Sequence, residues 1–68
     1  MNKSSHVKDA KWNESTQTMR VYFHGGEDYD FDNVTKEDHD SLHAAPSPGT
    51  FLRSWIIPRY GKGRRVQA

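Results

Sequence analysis

An α+β fold, a three-stranded antiparallel β-meander followed by two short helices packed on one face (β-β-β-α-α), is predicted by three features of the 68-residue sequence. Thr18 to Phe23 alternates cleanly, with Met19, Val21 and Phe23 on one side. Tyr29-Asp30-Phe31 repeats that alternation beyond Gly25-Gly26. Ser47-Pro48 opens an apolar stripe at helical spacing.

The first strand is read at Val7 to Trp12, where alternation is imperfect and Ala10 and Trp12 form the inward side. Asn13 to Gln17 is a run of turn formers, so a hairpin joins this strand to Thr18–Phe23. Gly25 and Gly26 supply the positive φ values of a tight primed turn into the third strand. There Tyr29 and Phe31 oppose Asp28, Asp30 and Asp32, which are expected to face water.

Thr35 with Asp38 three residues on has the form of a capping box, and Glu37 and Asp38 suit the positive end of a helix dipole. The first helix is therefore placed at Lys36 to Ala44, held through Leu42 because its other apolar residues are few. For the second helix, Ser47 is the N-cap and Pro48, with no N–H to lose, the first helical residue. Phe51, Leu52, Trp55 and Ile56 form the stripe that closes the core. Pro58 biases Ile57 away from helical geometry and should keep the helix short.

The run Ala45-Pro46-Ser47-x-Gly49-x-Phe51-Leu52, continued by Ile56 and Arg59-Tyr60 and preceded by the triplet Tyr29-Asp30-Phe31, resembles the KTSC domain, named for its occurrence at the C-terminus of some lysyl-tRNA synthetases. The likeness runs from about Val7 to Tyr60, with Phe31 standing where the family usually has a second tyrosine. As stand-alone proteins these domains occur in bacteria and phages, and the role the resemblance implies is RNA binding.

A chain of this length holds one domain whose single core supplies only a few kcal/mol, so self-association into a homo-oligomer is expected. The expected organisation is a disordered tail at 1–5, a single domain at 6–60 and a flexible basic tail at 61–68. Hydrophobic residues make up 32% and charged residues 28%, yet two Trp, three Tyr and three Phe favour folding over disorder. With no cysteine, neither disulfides nor thiolate metal sites staple the core. The first residues do not read as a signal peptide and no apolar run spans a bilayer, so a cytoplasmic location without membrane association is expected.

The net charge of +1 hides a division along the chain. Up to residue 40, five basic residues stand against nine acids. From residue 41 on, Arg53, Arg59, Lys62, Arg64 and Arg65 meet no acid at all. Such a split marks a surface for anions beside one that repels or orients them.

Catalytic and metal chemistry find little support. Asp28-x-Asp30-x-Asp32 has the alternation of a calcium loop, but Asn33 stands where the turn glycine belongs and His39 where the bidentate glutamate belongs. His39 and His43 share a helix face at a zinc-capable spacing without a third ligand, and are read as solvent-facing. Ser47 beside His43 is the one pairing to weigh for nucleophilic catalysis, in a chain with little room for a water-excluding cleft. No enzyme activity, metal or cofactor is expected.

The expected function is a small non-catalytic module recognising phosphate-bearing ligands, whether RNA or another nucleic acid or a nucleotide. Ser47, Gly49, Thr50 and Arg53 form the start of its site at the second helix. Arg59, Arg64 and Arg65 extend the positive field, and Tyr22 and Tyr60 offer stacking surfaces. Two alternatives stand beside it. One is an oligomeric sponge of phage type that sequesters host cyclic-nucleotide immune signals. The other is a module that docks a host or viral protein on the acidic strand face.

Overall fold

The computed structural model describes residues 7–66. The tail expected at residues 1–5, His6 and residues 67–68 lie outside the described residues. Four strands form one antiparallel sheet in chain order: β1 (Val7–Asn13), β2 (Thr18–Phe23), β3 (Asp28–Phe31) and β4 (Arg64–Arg65). Helix α1 (Lys36–Ala44) follows β3. A helical run then passes from α2 (Pro48–Phe51) through a π-helical segment (Leu52–Ile56) into α3 (Ile57–Tyr60).

The expected meander is present, with Val21 opposite both Ala10 of β1 and Tyr29 of β3. The register shifts between Val7 and Asp9, a bulge at the start of β1. The β2–β3 turn differs from the primed form expected. Among its two glycines only Gly26 has positive φ, at 90°, and its N–H donates to the Phe23 carbonyl at 3.0 Å. The Phe23 N–H donates to the Glu27 carbonyl at 2.9 Å, so His24 to Gly26 form a three-residue connection that ends in one left-handed residue.

The fourth strand corrects the three-stranded expectation. Arg64 and Arg65 pair with Asp30 and Tyr29 of β3, and the Val66 N–H donates to the Asp28 carbonyl at 2.8 Å. Gly61 and Gly63, with φ of 90° and 81°, turn the chain back toward the sheet. At Gly63 the approach is so close that a Cβ would lie 2.9 Å from the Phe31 ring.

Thr35 caps α1 as its spacing predicts, its Oγ1 accepting from the Asp38 N–H at 3.1 Å. Leu42 is fully buried, a contribution of about 2 kcal/mol in apolar burial. The second helix departs from expectation at Pro58. The Ile57 N–H donates to the carbonyl of Leu52, five residues back, and the run continues to Tyr60. A proline ring presses on the carbonyl four residues earlier in a regular α-helix; the wider π turn relieves that crowding and carries the helix past Pro58.

The core comprises Ala10, Met19 and Val21 from the first hairpin, Phe31 and Val34 from β3 and its exit, and Leu42, Leu52 and Ile56 from the helices. The predicted stripe on the second helix therefore divides. Leu52 and Ile56 are buried, Phe51 packs only at the margin, and Trp55 is 41% exposed. The sheet is too narrow to cover all four. Trp55 instead lies on the outer side, stacked on Phe51 with ring centroids 6.2 Å apart, its indole N–H donating to Asp38 Oδ1 at 3.1 Å.

Candidate functional site

Two assemblies of charged residues decide which of the predicted site residues have side chains to offer a ligand. The first is the acidic row of β3. Asp30, expected to face water, is buried and takes a two-pronged grip from Arg20 of β2, at 2.8 Å to Oδ1 and 3.1 Å to Oδ2. Asp32 takes the same grip from Arg64, at 2.7 and 3.1 Å, and also accepts from Thr18 Oγ1 at 3.4 Å. The Arg64 guanidinium holds the Asp32 carboxyl below its ordinary range. Arg65 lies 3.6 Å from Glu27. The acidic first part of the sequence and the basic last part thus meet within one chain, across β2, β3 and β4.

The second assembly joins the helical layers. Asp38 accepts from the Trp55 indole at one carboxylate oxygen and from the Tyr60 hydroxyl, at 2.5 Å, at the other. Arg59 lies over the Trp55 ring, 3.9 Å from its centroid, in a cation–π contact. Phe51, Trp55 and Arg59, each four residues apart, form a ladder on the outer face of the helical run.

These contacts redistribute the predicted site. Arg59, Arg64 and Arg65 already have intramolecular partners, and the Tyr60 hydroxyl is committed to Asp38. Tyr22 lies on the outer sheet face, beside Arg20 and Asp30 at the edge of a broad concavity of about 720 Å³. Ser47 does not cap its helix through its side chain; its hydroxyl donates to Thr50 Oγ1 at 3.0 Å, while its carbonyl accepts from the Phe51 N–H. The Ser47 hydroxyl therefore spends its proton on Thr50.

Gly49 and Arg53 remain together. They line a pocket of about 370 Å³ between the helical run and the open end of the sheet, and Lys62 completes its mouth. Its walls are Val7, Phe23, Tyr29 and Phe31 on the sheet side and Leu52 and Ile57 on the helix side. Phe23 and Tyr29 meet edge to face, ring centroids 5.6 Å apart, and so present one continuous aromatic corner. No acid lines it. Arg53 and Lys62 are both exposed, and among the described residues neither makes an ion pair. The aromatic corner went unpredicted as a site because its residues carry the inward alternation of core strands.

Of the two histidines expected to face solvent, His43 is exposed and His39 is not. His39 is largely covered, stacked against Trp12 with centroids 6.3 Å apart and 4.6 Å from the ring of His43. His43 Nε2 lies 2.7 Å from the carbonyl of Ala10, so it donates to β1. Both histidines pack α1 on the first strand. With His43 tied to Ala10 and Ser47 to Thr50, the two do not pair. Among the described residues no group of three or more histidines and carboxylates is placed to hold a metal ion, and no helix is long and apolar enough to cross a membrane.

The KTSC sequence pattern matches residues 3–60, most of the chain. The chain belongs to the KTSC domain family. No curated protein sequence matches it. Within this KTSC domain the family-like run Ala45–Leu52 contributes Gly49 and Leu52 to the pocket, and the triplet Tyr29-Asp30-Phe31 contributes both its aromatic rings to the opposite wall. The middle residue of that triplet points the other way, into the pair with Arg20. The tyrosine hydroxyl missing at Phe31 would fall in the core, where Phe31 is 1% exposed and faces the backbone of Gly63.

Proposed function

We propose that this KTSC domain is a non-catalytic binding module for phosphate-bearing ligands, nucleic acid or nucleotide, which it takes at the pocket flanked by Arg53 and Lys62. The observation that carries this reading is the combination at that place: two exposed cations that make no ion pair among the described residues, an apolar aromatic interior and no acid among the described lining residues. A phosphate needs positive charge and donors, a base or sugar needs flat apolar surface, and the pocket offers both within one opening.

The site is narrower than the basic segment as a whole. Arg59, Arg64 and Arg65 serve the fold through Trp55, Asp32 and Glu27 and act on a ligand only through their summed field. The acidic strand face, the alternative docking surface, is largely neutralised by Arg20 and Arg64, which weakens the case for a basic protein partner there.

Titration of labelled oligonucleotides, cyclic dinucleotides and mononucleotides at low salt tests the proposal. Binding that weakens on charge reversal at Arg53 and Lys62 supports it. No binding to any of the three sinks it. Light-scattering mass measured with and without ligand then separates a monomeric module from an oligomeric sponge.

A further inference from the structure

We infer that the pocket holds a single ring-bearing phosphate monoester, a nucleoside monophosphate in chemical class, with its ring inside and its phosphate at the mouth, and that a nucleic-acid strand is not the preferred ligand. The inference rests on the phosphate-binding reading and goes beyond it by choosing between a small ligand and a polymer.

Three observations carry it. The first is shape: a volume of about 370 Å³ sits at the low end of the range for small-ligand pockets, about 300–1,000 Å³, and leaves room for one ring system. The second is polarity along its depth. Phe23, Tyr29, Leu52 and Ile57 line the interior, whereas the charges of Arg53 and Lys62 are exposed. A ligand apolar at one end and anionic at the other satisfies both only when it enters ring first. The two cations come from different segments, the helical run and the turn after Gly61, and both border the same pocket.

The third observation concerns what a strand would require. A polymer is held by a track of cations along its phosphates, each displacing a condensed counterion. Here three of the five basic residues in the last part of the chain are engaged, Arg59 on Trp55, Arg64 on Asp32 and Arg65 on Glu27. Two cations are enough for one phosphate monoester. For a single strand they give a salt slope of only about −1.4 in log K against log salt, a weak hold.

The test uses the full chain and four probes: adenosine 5′-monophosphate, adenosine, inorganic phosphate and a deoxythymidine oligomer, each titrated by calorimetry at low salt. The expected result is one-to-one binding of the monophosphate, at least about tenfold tighter than either adenosine or phosphate alone. Arg53→Glu with Lys62→Glu, both at exposed positions, should remove that advantage while thermal unfolding stays cooperative. Ile57→Trp, which fills the interior, should block the monophosphate and leave the weak affinity for inorganic phosphate unchanged. If the oligomer binds and the monophosphate does not, the single-nucleotide inference falls and the phosphate-binding reading stands. If none of the four binds, both fall.

Discussion

Arg64 holds the Asp32 carboxylate with two hydrogen bonds, 2.7 and 3.1 Å long, and this pair fastens the two-residue strand β4 to the end of β3. A segment that reads as a loose basic tail is therefore a structural edge. The arginines that close the sheet already have carboxylate partners within the chain. The pair also sets a pH dependence. Arg64 lowers the Asp32 pKa, so its contribution is fully present above the ordinary carboxylate range, near pH 4, and is lost as pH falls through the depressed folded value. In an NMR titration of the side-chain carboxyl, Arg64→Ala should return Asp32 toward the ordinary value. An unchanged titration would mean that the two groups do not pair in solution.

Asp38 is the joint between the helical layers, receiving both Trp55 and Tyr60. Tyr60→Phe removes one hydrogen bond to a charged acceptor and should cost about 1–2 kcal/mol in chemical denaturation. Asp38→Ala leaves two donors without their acceptor and should cost about as much or more, while Trp55→Leu, at a position 41% exposed, should cost less than Asp38→Ala. A double-mutant cycle between Asp38 and Tyr60 should give a coupling above about 0.5 kcal/mol. Additive losses would show that the two act independently.

Gly63 lies with its backbone hard against β3. Ala at this position meets a left-handed φ of 81° and places its Cβ 2.9 Å from the Phe31 ring and 3.1 Å from the Asp30 carbonyl. Gly63→Ala should therefore destabilise by about 1–3 kcal/mol and loosen β4, seen as faster amide exchange at Val66, whose N–H donates to Asp28. Gly25→Ala, where the added Cβ meets nothing within 4 Å and φ is not positive, serves as the comparison and should be close to neutral.

Much of this architecture is legible in the sequence where the signal is local. Thr35 and the Asp38 amide fix the start of α1 because an N-cap is a contact over three residues. Met19, Val21 and Phe31 fall inward because strand alternation has only two phases. What is not legible depends on distant partners. Strand β4 is two residues long, below any periodicity, and exists through Asp30, Asp32 and Phe31, more than thirty positions earlier. The helix passes Pro58 because a π turn, which no residue pattern announces, absorbs the ring. Trp55 matches the apolar stripe by spacing, but the sheet beneath covers only Leu52 and Ile56. In the candidate site, Gly49 and Arg53 were visible from the helix start, while the aromatic corner of Phe23 and Tyr29 is hidden among strand residues that alternation assigns to the core.

The central claim is that Arg53 and Lys62 receive the anionic group of a ligand whose ring lies in the pocket between them. Amide chemical-shift mapping of the full chain during titration with adenosine 5′-monophosphate tests it most directly. The account predicts saturable shifts concentrated at Phe23, Tyr29, Gly49, Arg53, Ile57 and Lys62, absent in the Arg53→Glu, Lys62→Glu chain. Shifts concentrated instead on Trp55 and Arg59, or along the outer face at Arg20, Tyr22 and Arg64, would contradict it, as would no shift at all.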